Sequence, residues 1–299
     1  MLVLTADGNV TALAENDGQV LWQVELPAAP TGAVAITGSR MYVSAEDAHL
    51  YVLDIQNGRR LPRLDTNGRV LSCLTVGQYV IAAATSGTVS AFDGATGTHA
   101  WEELLPCPLI GGFATADRTV YVGGGDGVVY AIDTVQHGRV SSLHPMGQRI
   151  HTIAISHSGL HVAGADGGVI SLSLRGTVSG WRLAAENGQI WACRADPASN
   201  LVATASVHGV LRLDDAATAS NYLTRSDLGI IRRSLTLHNG ILLVGSASGS
   251  LVALNVKDGR ELVRQDGHSP LDAPPAVTAS GLIVGGWLDG TVVGIPRPR

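Results

Sequence analysis

The sequence predicts an all-β protein, an eight-bladed β-propeller of four-stranded antiparallel blades, and three observations lead to it. Gly accounts for 37 of the 299 residues while aromatic residues make up only 4%, a composition that suits many short strands of Val, Leu, Ile and Ala joined by tight turns. One short turn between two alternating apolar strands recurs, marked by Gly8, Ala48, Gly87, Gly127, Gly167, Gly209, Gly249 and Gly290, at steps of 39 to 42 residues. A four-stranded meander cannot bury both faces alone, so such units must stack. Stacking around an axis hides every face without polar end caps, for which the chain has no segment outside the repeat.

Each element follows in order within the unit. Strands such as Val120-Tyr121-Val122 lead into the turn, and strands such as Val128-Val129-Tyr130-Ala131-Ile132 leave it, both alternating with period two. The turn pairs Asp7-Gly8, Asp126-Gly127, Asp166-Gly167 and Asp289-Gly290 tolerate positive φ and predict two-residue hairpins. A second turn follows at Asp17-Gly18, Asn57-Gly58, Thr96-Gly97, His137-Gly138 and Asp258-Gly259, then an outer strand and a loop to the next unit. The units run 1–26, 27–66, 67–105, 106–145, 146–186, 187–228, 229–268 and 269–299, expected as one domain. Counted this way the first unit lacks its innermost strand and the last its outer one. An innermost edge left open would strand backbone donors and acceptors, so an upstream segment or a partner is expected to complete the first blade.

The formal net charge is -5 and no basic stripe exists, which argues against nucleic acid as a partner. No apolar run has the length of a membrane helix, so no membrane insertion is expected. Met1 leads directly into Leu2-Val3-Leu4 without a basic leader, which predicts a cytoplasmic location. Cys73, Cys107 and Cys193 are too scattered for a disulfide framework or a zinc site and read as buried apolar residues. Alternation and an intervening turn place His151, His157 and His161 at different heights, so they should not converge on a metal. No G-x-S-x-G, P-loop or H-E-x-x-H motif occurs, and no catalytic residue, cofactor or metal is expected.

The third unit reads Ala91, Asp93, Thr96, Gly97 and Trp101, an A-x-D-x-x-T-G-x-x-x-W pattern that resembles the pyrroloquinoline-quinone-type propeller repeat. The first unit keeps Ala12, Asp17-Gly18 and Trp22, the second Asp54 and Gly58, the fourth Ala131 and Asp133, and the seventh Ala253, Asn255 and Gly259. The resemblance implies that Trp22, Trp101 and Trp181, each fourteen residues past its turn position, dock between neighbouring blades. The equivalent positions Pro62, Ser141, Leu223 and Val263 leave that girdle incomplete. The quinoprotein dehydrogenases of this kind are longer and carry long inserted loops, a calcium site and an adjacent cysteine pair. None of these can be placed here, so the chain is similar to the cofactor-free, BamB-like branch.

In a propeller the first residues of each innermost strand ring the mouth of the axial channel. Counting sixteen residues back from the turn positions gives Gly32, Leu71, Gly111, His151, Arg233 and Pro274, and allowing two inserted residues in the sixth unit gives Trp191. His151, Trp191 and Arg233 would put an imidazole, an exposed ring and a fixed cation around a mouth otherwise lined by small residues. Arg232 stands next to Arg233, so a shift of one residue would exchange them and keep the charge. The reading is a non-catalytic scaffold for a protein or peptide partner, in the manner of a sensor or adaptor part of a larger system. The alternatives are a divergent quinoprotein oxidoreductase and a small-molecule sensor at the channel mouth.

Overall fold

The structure is a computed structural model that describes residues 1–136, 138–143, 147–175, 177–183, 188–196 and 200–297, with the backbone alone at 139 and 178–183. Among the described residues there is no helix. Thirty strands form eight antiparallel sheets in chain order, six of four strands and two of three, so the fold class is the eight-bladed propeller. The three-stranded sheets are the first, Leu2–Leu4, Asn9–Leu13 and Val20–Glu25, and the last, Ala276–Val277, Leu282–Gly286 and Val292–Pro296. The chain divides into two compact units, residues 1–126 with 130–142 and residues 127–129 with 143–299.

The recurring turn is built differently from the two-residue hairpin expected. Gly8 N–H donates to the Thr5 carbonyl at 3.0 Å and Thr5 N–H donates to the Asn9 carbonyl at 3.0 Å, a type I turn closed by one left-handed residue. Only the last turn residue has positive φ, 95° at Gly8 and 64° even at Ala48, and none of the four aspartates does. The aspartate instead accepts from the backbone two residues on, as Asp166 does from Gly168 N–H at 2.9 Å and Asp289 from Thr291 N–H at 2.9 Å.

In the first unit the strands flanking these turns bury nearly every residue, as Arg40–Ala45 and Thr88–Asp93 do, so both faces are covered, with one core around Tyr42, Leu50, Val70 and Val80. The girdle expected of the tryptophans is present where their side chains are described. A Cβ on Gly58 would lie 2.6 Å from the Trp22 ring, and the Trp22 indole N–H donates to the Ile55 carbonyl at 2.9 Å. Trp101 is buried and lies over Gly138 in the same way. The side chain of Trp181 lies outside the described residues. In the second blade it is Leu64, not Pro62, that meets the next blade's glycine, Gly97. A register shift between Leu50 and Val52 against the outer strand Arg60–Asp65 moves the contact residue along the chain.

In the second unit the core gathers around Leu211, Leu213, Leu235 and Leu242, with Leu223 over Gly259 in the seam position. Three innermost strands pack side by side here: Ile150–Ser156 against Ile190–Asp196, and Ile190–Asp196 against Leu235–His238. Their turn-bearing ends carry the candidate residues.

Candidate functional site

His151 and Trp191 sit at the same structural position in consecutive blades. In the fifth blade Ile150 pairs with Gly164 and Thr152 with Ala163, leaving His151 as the extra residue of a β-bulge. In the sixth, Ile190 pairs with Ser206 and Ala192 with Ala205, leaving Trp191 as the extra residue. A bulge re-aims its side chain, which is how two neighbours of buried residues come to project at the strand end. Leu71 occupies the matching bulge in the third blade.

Arg233 differs from the expectation. It lies two residues before the strand Leu235–His238, in a bend rather than at a strand start. That bend is anchored through Ser234, whose carbonyl accepts from Gly245 N–H at 2.8 Å and whose hydroxyl donates to the Gly245 carbonyl at 2.7 Å. The adjacent Arg232 is not interchangeable with it, because Arg232 is held by Asp272 at 2.8 Å.

The groups converge electrostatically. Burial lowers the pKa of His151, with the Ile190 backbone opposing and Arg233 and then Arg149 adding to the shift, which favours the neutral imidazole. Burial also lowers Arg194, and Arg233 contributes in the same direction. Arg194 donates to the carbonyl of its own neighbour Cys193, at 2.9 Å. Trp191 is 39% exposed and its indole N–H points to the Gln189 side-chain oxygen at 3.4 Å. The structure sets two further cations, Arg149 and Arg194, beside the three residues named from the sequence. Both stand within three residues of a candidate, but which way they face depends on the bulges.

His157, His161 and the cysteines are side chains of the fold. His161 is fully buried with Nε2 2.7 Å from the Ser156 hydroxyl, His157 is exposed, and His151 lies with the arginines, so the three do not meet. Cys73, Cys107 and Cys193 are free and buried, and burial pushes the Cys73 and Cys193 thiols up to about 12. Gly32 and Gly111 lie within irregular pairings of their strands, and Pro274 precedes the strand Ala276–Val277.

Comparison with known proteins extends over the whole chain. The family model described as outer membrane protein assembly factor BamB matches residues 6–134 and 85–213. The chain belongs to the BamB family. Its relatives include the outer membrane protein assembly factor BamB of Yersinia pestis, 27% identical over 99% of this chain and 82% of the relative. That of Escherichia coli K12 is 28% identical over the same shares. The crystal structure of BamB from Moraxella catarrhalis superposes with a TM-score of 0.77 at 21% identity, covering 98% of this chain and 92% of that one, which shows the shared fold. A computationally designed protein, Ika8, shares the fold at a TM-score of 0.64 and 18% identity, covering 89% of this chain and 96% of the designed one.

The cytoplasmic location expected from the start of the chain is overturned by these relatives, which are named for assembly at the outer membrane. The residues that carry the BamB-family pattern have structural roles here. Asp93 closes the second turn by accepting from the backbone N–H of Ala95 at 3.0 Å and of Thr96 at 2.8 Å, and from the Thr96 hydroxyl at 2.8 Å. The Thr96 backbone and hydroxyl bonds hold its carboxyl below the usual range. Asp215 repeats the arrangement with Ala217 and Thr218. The motif that carries the family resemblance thus builds the blade.

Proposed function

We propose that this BamB-family chain is a non-catalytic scaffold that docks protein segments during assembly of outer membrane proteins. The observation that carries the reading is similarity to proteins named as assembly factors along 99% of the chain. The turn-bearing ends of blades five to seven supply a docking surface consistent with it. Trp191 offers exposed ring area at small entropic cost, and Arg233 a fixed cation, the two residue types most enriched at binding hot spots. Backbone bonds pin the loops that carry them: Ala165 N–H to the Arg149 carbonyl at 3.0 Å, Val207 to Gln189 at 2.9 Å and Ala247 to Ile230 at 2.8 Å. A surface held this way loses little freedom on binding. Deleting the gene in its native bacterium and measuring folded outer membrane β-barrel proteins by heat-modifiable gel mobility tests the role. Levels should fall and return with the plasmid-borne gene; unchanged levels in the deletion strain would remove the proposal.

A further inference from the structure

We propose that Arg149, Arg194 and Arg233, with Trp191 among them, form a recognition site for an extended acidic segment of a partner protein. The inference rests on the scaffold reading and specifies the chemistry of what is docked.

Charge is the first argument. The chain as a whole carries a net -5, yet three guanidinium groups from three consecutive blades lie here and, among the described residues, none of them has an ion pair. Several other arginines of the same unit are matched: Arg212 to Asp214 at 2.8 Å, Arg225 to Glu261 at 2.8 Å and Arg264 to Glu261 at 2.7 Å. At the cluster itself the one carboxylate in an ion pair, Asp272, is bound to Arg232. Three such groups on or next to neighbouring inner strands gather positive charge in a chain whose net charge is negative. A set of like charges held together by the fold is relieved when carboxylates arrive, and that relief appears as affinity.

Shape supplies the second argument. The cations are contributed by separate blades, Arg149 before the strand Ile150–Ser156, Arg194 within Ile190–Asp196 and Arg233 before Leu235–His238. Groups spread over three neighbouring strands, with Arg194 further along its own, suit several carboxylates on one extended chain better than one small anion. The exposed ring of Trp191 lies on the middle strand and would take an apolar side chain of that segment. Guanidinium groups are suited to carboxylates through paired N–H donors, whereas burial and the nearby arginines disfavour a charge on His151.

The test is fluorescence anisotropy with a labelled dodecapeptide of Glu, Asp and Ser carrying one central Phe, against the same peptide with Gln and Asn in place of the acids. The acidic peptide should bind, more weakly as salt rises, and the neutral one should not. Arg149→Gln/Arg233→Gln should weaken binding by about tenfold or more, with Tm unchanged. Arg233→Glu serves as the second variant and should shift preference to a lysine-substituted peptide. Equal binding of the neutral peptide, full binding by the double variant, or citrate competing as well as the peptide would overturn the proposal. If the double variant loses the peptide yet still restores barrel-protein levels in the deletion strain, the acidic segment is not the docked partner and the scaffold reading stands.

Discussion

Arg69 and Arg149 occupy the same place in the repeat, yet one is neutralised and the other is not. Each lends its carbonyl to the turn of its own blade, Arg69 to Thr85 N–H at 2.9 Å and Arg149 to Ala165 N–H at 3.0 Å. Arg69 then closes a two-bond pair with Glu46, one contact at 2.7 Å, and the guanidinium holds Glu46 below its usual range. Arg149 ends in solvent near His151 and Arg233. The tryptophans divide in parallel, Trp101 sealed over Gly138 and Trp191 open. Identical residue types are saturated where they hold blades together and unsaturated where the inner strands of the second unit end. On the proposed reading, the difference separates residues that maintain the fold from residues that would meet a partner.

The largest effects should come from the sealed side. Trp101→Ala removes a buried indole from a blade seam and should cost about 3–5 kcal/mol in urea unfolding, while Trp191→Ala should leave stability nearly unchanged. A large loss at Trp191 would blur the division. Next comes His161, which is fully buried and whose pKa burial lowers from 6.5 to about 4. The folded state favours the neutral ring, so the stability this gives is complete above pH 6.5 and is lost as pH falls toward 4. The loss should approach roughly 3 kcal/mol and be absent in His161→Gln. A smaller effect is expected of Glu46→Gln, which frees Arg69: a slight fall in Tm at low salt that disappears at high salt, since the pair is exposed. The smallest is Arg149→Gln, whose Tm should match wild type because no partner is lost; a clear drop would mean that Arg149 is structural.

Much of the fold was legible because its turns repeat a local chemistry. All eight turn positions have positive φ, Ala48 included, so the spacing of small residues marked the blades without any tertiary information. The hairpin type was not legible, because an aspartate before the glycine serves equally a two-residue turn and a type I turn that it closes with its carboxylate. Trp22 and Trp101 could be placed by counting, whereas Leu64 could not, since one register shift moves the contact two residues beyond Pro62. At the candidate site counting found His151 and Trp191, where the bulge itself is periodic. It placed Arg233 on a strand that begins two residues later. Arg149 and Arg194 were invisible because whether a cation is paired depends on neighbours from other blades.

The most direct test sets the two arginines against each other in the deletion strain, comparing Arg69→Gln with Arg149→Gln/Arg233→Gln at equal levels of folded protein. The reading predicts that Arg69→Gln restores outer membrane β-barrel proteins and that the double variant does not. Restoration by both would contradict it, as would restoration by the double variant alone.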